Sequence, residues 1–115
     1  MPTREIPRDS WTDYFDDFSR RHEGWVTTVE VMGEEGAQTE AQALPLAGVS
    51  AERDGRDISI ALTSEDRLVE HIVNRPEHVR VEEEEGGEER AVQIESPGGT
   101  TLLTFPGDRE ERRLT

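Results

Sequence analysis

Residues 10–24 read SWTDYFDDFSRRHEG, from Ser10 to Gly24. Trp11, Tyr14, Phe15 and Phe18 recur at i, i+3, i+4 and i+7, which gathers four of the chain's six aromatic rings on one face of a helix. Thr12, Asp13, Asp16, Asp17 and Ser19 fall on its other faces. Ser10 is placed to cap the first turn, and Asp13 three residues on to complete a capping-box-like pair. Arg20, Arg21 and His22 bring positive charge to the negative end of the helix dipole, and Gly24 is a natural stop. A helix with one aromatic side needs a cover, and the rest of the chain supplies strands.

From Trp25 the period changes to two: Trp25, Thr27, Val29 and Val31 share a parity, and Gly33-Glu34-Glu35-Gly36 turns the chain. A second strand runs from Gln38 to Leu46, where Pro45 between two leucines implies an edge strand or a bulge. Gly48 breaks the parity before Val49 and Ala51, and Asp54-Gly55 is a hairpin signal. Ile58, Ile60 and Leu62 then alternate with Ser59, Ala61 and Thr63. Thr63 or Ser64 is read as the cap of a short second helix with Leu68, Val69, Ile72 and Val73 on its apolar side, ended by Asn74 and Pro76. Val79 and Val81 open a strand into Glu82–Glu85, Gly86-Gly87 returns it through Val92 and Ile94, and Pro97-Gly98-Gly99 leads to a last strand from Thr100 to Phe105.

These spacings predict an α+β fold. An N-terminal amphipathic helix packs on a strongly curved, mainly antiparallel sheet or small open barrel of about six to seven strands, with a short second helix. Residues 1–105 are expected to form a single globular domain and residues 106–115 a disordered charged tail.

Charge sets the second constraint. All 13 basic residues are arginine, against 27 Asp and Glu, for a formal net charge of −14 on 115 residues. Such self-repulsion opposes the compact state. At about 1 M salt the Debye length is roughly 3 Å, so a salt-loaded cytoplasm accounts for the composition, with a GC-rich genome favouring arginine codons. The same excess argues against nucleic-acid phosphates and anionic membranes as partners. There is no cysteine, which removes disulfides, thiol nucleophiles and thiolate metal sites. No apolar run is long enough to span a bilayer and no signal peptide is evident, so a cytoplasmic location is expected.

Residues able to do chemistry are scattered. His22, His71 and His78 lack a second histidine at helical spacing, and each has a structural role: dipole matching, a polar position beside an apolar face, and a strand entry. Ser10, Ser19, Ser50, Ser59, Ser64 and Ser96 show no nucleophile-elbow context. No calcium loop or phosphate cradle is present. Glu82–Glu85 with Glu88 and Glu89 form the densest anionic cluster, read as a solvated hairpin tip that resists edge pairing or as a contact for a cation or basic partner. Arg20-Arg21-His22 with Trp25 nearby is read as dipole matching plus local salt bridges, or as a seat for an anion or a partner's carboxylate with arginine stacked on the indole. No catalytic, cofactor-binding or metal-ligating residue is assigned, and no cofactor is implied.

The chain resembles a family of small bacterial proteins classed only as a domain of unknown function. The resemblance is carried by Arg4-Glu5-Ile6-Pro7-Arg8 before Trp11 and by Phe18-Ser19-Arg20-Arg21-His22-Glu23-Gly24-Trp25. It continues through Leu44-Pro45-Leu46 with Gly48, Gly55-Arg56-Asp57 with Ile58, and Ile94-Glu95-Ser96 with Thr100 and Leu102-Leu103. It implies a stand-alone domain and transfers no site residue. The expected function is therefore a non-enzymatic interaction or accessory module with a protein partner. Two alternatives remain: a ligand binder or enzyme whose site is assembled from strands, and an acidic DNA mimic. A mimic needs acids in ordered rows, whereas here they are spread along the whole chain.

Overall fold

The structure, a computed structural model, describes residues 3–52, 56–84, 86 and 88–105. Its strands are β1 (Thr3–Ile6), β2 (Val26–Gly33), β3 (Gly36–Ala51), β4 (Asp57–Ser64), β5 (Arg67–Asn74), β6 (His78–Glu83), β7 (Glu89–Ser96) and β8 (Gly99–Thr104). Helix α1 (Trp11–His22) follows a 3-10 turn at Arg8–Ser10. The strands form one antiparallel sheet in the order β1-β6-β7-β8-β2-β3-β4-β5, which leaves β1 and β5 as its edges among the described residues.

This overturns the α+β expectation of a six- to seven-stranded sheet or barrel with two helices. The fold is mostly sheet, it has eight strands and is not closed, and α1 is the one α-helix among the described residues. The segment read as a second helix is β5. Glu65 and Asp66 both take positive φ, 50° and 67°, as a two-residue type I′ hairpin loop requires, and Ser64 then faces Arg67 across it. Thr3–Ile6, which lacks any alternation, becomes a strand by pairing with β6 from Thr3↔Glu82 to Ile6↔Val79. Ser10 makes no side-chain capping bond; instead its own N–H donates to the carbonyl of Pro7 at 2.9 Å, so the 3-10 turn delivers the chain into α1. Asp54-Gly55, Glu85, Gly87 and the tail at 106–115 lie outside the described residues.

The aromatic face of α1 enters the core. Trp11, Phe15 and Phe18 are buried with Val29 of β2, Leu46 and Val49 of β3, Ile58, Ile60 and Leu62 of β4, and Val92 and Leu103 of β7 and β8. Each such side chain contributes about 1.5–3 kcal/mol by leaving water. The Trp11 indole N–H donates to the carbonyl of Ile6 at 2.9 Å, tying the helix start to β1. On the other side Ser19 Oγ both donates to Val49 O and accepts from Val49 N, each at 2.8 Å. One hydroxyl thereby satisfies both backbone groups of a residue beside the β3 bulge, where the register slips between Leu46 and Gly48. Pro45 pairs with Val26 on the same bent stretch, so the proline marks irregularity within a long central strand and not a sheet edge.

Gly99 fixes where β8 begins. Its φ is 139°, and a Cβ there would lie 2.4 Å from the carbonyl oxygen of Met32. Gly99→Ala is expected to destabilise the protein by about 2 kcal/mol or more, because both the conformation and the backbone contact forbid the methyl. Gly98→Ala, where a Cβ meets nothing within 4 Å, should leave the urea midpoint nearly unchanged. Equal midpoints for the two variants would contradict this placement.

Candidate functional site

The basic run at the end of α1 meets the first residue of β7. The Arg21 guanidinium donates to both oxygens of Glu89, Nη1 to Oε1 at 2.7 Å and Nη2 to Oε2 at 2.9 Å, in the bidentate geometry that suits a carboxylate. The Tyr14 hydroxyl donates to Glu89 Oε2 at 3.0 Å, and His22 Nε2 stands 3.3 Å from Oε1. Tyr14, Arg21 and His22 converge because positions 14, 18, 21 and 22 fall close together on one helical face. On its outer side Arg21 Nε also donates to Asp17 Oδ2 at 2.7 Å, one turn back.

Glu89 is only 2% exposed, and so is His22. Burial pushes the Glu89 carboxyl up, but the hydrogen bonds from His22 and Arg21 and the Arg21 charge outweigh it and hold the group well below the usual carboxylate range. Burial first, and then the neighbouring Glu89 charge, push the Tyr14 hydroxyl up, so it stays a donor. The His22 ring stacks between Phe18, at a centroid distance of 4.1 Å, and Phe105, at 5.3 Å, with Trp25 edge-on at 4.4 Å. Its Nδ1 lies 2.9 Å from the Phe18 carbonyl, so an imidazole carrying two protons donates to both that oxygen and Glu89.

The structure thus supplies the carboxylate that the arginine run was read as able to seat, and it is the chain's own. Trp25 packs on His22 and Phe105, while the Arg8 guanidinium stands 4.5 Å from the ring centre of Trp11. The cluster acts as an internal clamp between α1 and β7: its carboxylate oxygens are occupied and sealed from solvent. Glu89 does not belong to a solvated hairpin tip: it is the buried acid among the described members of that cluster. Glu83 pairs with Arg4 at 3.3 Å and Glu84 with Arg90 at 3.8 Å, so the acids around it are tied locally. The sequence signal that could have singled out Glu89 is its place at the head of the strand carrying Val92 and Ile94.

The other histidines stay apart. His78 opens β6 and its Nδ1 lies 2.9 Å from Glu5 Oε2 on the neighbouring β1, while Arg80 pairs with Glu95. His71 lies mid-β5, opposite Ile60. Among the described residues no three His, Asp or Glu side chains are gathered as a metal site.

Open clefts mark the surface. One, of about 500 Å³, lies between the Gly33–Gly36 turn and Pro97-Gly98. Another, of about 320 Å³, runs between the end of β5, from His71 to Asn74 with Arg75 just beyond it, and the turn at Ser96–Gly99. Strand β5 itself carries three of the four large exposed apolar side chains among the described residues: Leu68 at 71%, Val69 at 41% and Ile72 at 47%. Because a two-residue loop makes Ser64–Arg67 a hydrogen-bonded pair, Val69, His71 and Val73 turn their amides and carbonyls toward β4. Leu68, Glu70, Ile72 and Asn74 turn theirs to the open edge. The opposite edge, β1, is four residues long and carries Arg4 and Glu5. Short, charged edges resist pairing, whereas β5 is eight residues long, spreads only Arg67 and Glu70 along that length and has no proline.

Comparison with known proteins matches residues 2–112 to a family of unknown function, DUF5335. A protein of Aquifex aeolicus (strain VF5), described as an uncharacterized protein, is 32% identical over 87 residues, covering 75% of this chain and 76% of its own. No solved structure matches the chain. No helix among the described residues is long and apolar enough to cross a membrane.

Proposed function

We propose that this chain, which belongs to the DUF5335 family of unknown function, is a non-enzymatic protein-interaction module that docks through the free edge of β5. One observation carries the reading: the polar cluster at Glu89 is sealed and internally satisfied, while along β5 apolar side chains are exposed and the outer backbone groups pair with no other strand among the described residues. An extended segment added to that edge gains main-chain hydrogen bonds, and Leu68, Val69 and Ile72 supply apolar contact on both faces. The net charge of −14 suits a salt-rich cytoplasm, where screening lets such a contact form at short range.

Capture from native lysate at about 1 M salt, where screening is strong, should recover a stoichiometric protein on the wild-type chain and lose it on Ile72→Lys. Ile72 is half exposed, so the substitution is expected to leave the fold intact by circular dichroism. The same proteins on both baits would sink the edge as the docking site. A bound metabolite, recovered with no protein, would favour the ligand-binding alternative at the cleft by His71 and Arg75.

A further inference from the structure

We infer that the β5 edge pairs antiparallel with β5 of a second copy of this chain, about a two-fold axis through His71. This rests on the docking role proposed for that edge and names its occupant. The argument begins with charge. Each body carries −14, so two copies repel over most of their surface. Strand β5 contains Arg67, Glu70 and His71 and is formally neutral with the imidazole uncharged, so it is an eight-residue stretch on which a second copy meets no net like charge.

Register then follows from backbone geometry. Residues facing each other in an antiparallel pair either both point their amides at the partner or both point away. With Leu68, Glu70, Ile72 and Asn74 pointing outward, the axis must pass through a residue and not between two. An axis at Glu70 would set two carboxylates directly opposite, which is destabilising. An axis at Val69 would run the pairing into the Glu65-Asp66 loop and leave only the residues from Arg67 to His71 paired, and one at Ile72 would run it past Asn74, where the strand ends. With the axis at His71, Leu68 faces the second copy's Asn74, Val69 faces its Val73, and Glu70 faces its Ile72. Every residue from Leu68 to Asn74 is then paired without a like-charged opposition while the imidazoles are neutral, and Arg67 falls opposite the second copy's Arg75 only past the strand end, where positive φ turns the chain away. The second copy's Val69 lies on the face of Val73, which lines the 320 Å³ cleft beside the Ser96–Gly99 turn, so the cleft receives that side chain. The outcome joins two open eight-stranded sheets across their unprotected edges.

The absence of cysteine makes this testable at single-residue resolution. His71 opposite His71 is a non-hydrogen-bonded pair, with Cα atoms about 4.5 Å apart, within the span a disulfide needs. The full-length wild-type chain at pH 8 should sediment as a dimer, and its dimer fraction should rise between about 0.1 and 1 M salt as repulsion is screened. Under oxidised glutathione, His71→Cys should form a covalent dimer at least about tenfold faster than Leu68→Cys or Glu70→Cys, which that register keeps from facing themselves. A wild-type chain that stays monomeric at high salt overturns the self-pairing, and so does cross-linking at residue 68 or 70 as fast as at 71. If the wild type is monomeric yet Ile72→Lys still loses a different captured protein, self-pairing fails while the docking role stands. If Ile72→Lys changes neither sedimentation nor capture, both fail.

Discussion

Phe18→Ala is expected to lower stability by about 3–5 kcal/mol, the cost of emptying a buried aromatic site. Phe18 is fully buried, and its ring touches those of Tyr14, Phe15, His22 and Phe105, so no single neighbour can relax to fill the space. Small domains hold only about 5–15 kcal/mol in total. With a net charge of −14 acting against compaction, the variant should be largely unfolded in low salt and partly rescued by about 1 M salt. Urea unfolding followed by circular dichroism at both salt concentrations tests this. A midpoint within error of wild type at both would show that the helix is not the keystone of the core.

Arg21→Met should be nearly as severe at neutral pH, for an electrostatic reason. It leaves the Glu89 carboxylate buried with only Tyr14 and His22 as donors, and removing one partner of a buried pair costs about 3–5 kcal/mol. Arg21 is itself half exposed and Glu89 keeps two donors, so about 3 kcal/mol is expected. The sign with pH follows from the direction of the Glu89 shift. Its carboxyl is held below the ordinary value of 4.5, so its contribution is complete above that pH and is lost as pH falls below it. Wild-type stability should therefore decline below about pH 4.5, and Glu89→Gln should show a shallower decline. The cost of Arg21→Met should shrink over the same window as the stranded carboxyl takes up a proton. A wild-type-minus-Glu89→Gln difference that is flat from pH 7 to 3 would contradict the clamp.

What the sequence made legible was decided by how unambiguous each spacing is. Trp11, Tyr14, Phe15 and Phe18 fit a helix and no strand, and α1 forms over Trp11–His22. Leu68, Val69, Ile72 and Val73 fit both: adjacent pairs four apart make one stripe on a helix, and on a strand they divide between two faces. The turn before them was the arbiter, but Glu65-Asp66 lacks the glycine or asparagine that usually marks a type I′ loop, so it passed for a helix start. β1 left no local trace because its pairing partner lies far along the chain. The candidate site divided in the same way. Arg21 and His22 stood out as a basic run, whereas Glu89 was one acid among 27 and only the packing of α1 against β7 distinguishes it. The solvent-facing β5 edge could not be seen until β5 was a strand at all.

The pairing of β1 with β6 has a consequence for how the protein is made. Arg4 and Glu83 bond although they stand 79 positions apart in the chain. A ribosome adding about 5–20 residues each second emits β6 roughly 4–16 s after β1. Through that interval the rings of α1 are outside the channel with no strands of β6, β7 or β8 to receive them. The nascent chain thus presents the aromatic face of α1 well before the last strands of the core, an ordering that leaves these rings incompletely covered until synthesis is nearly finished.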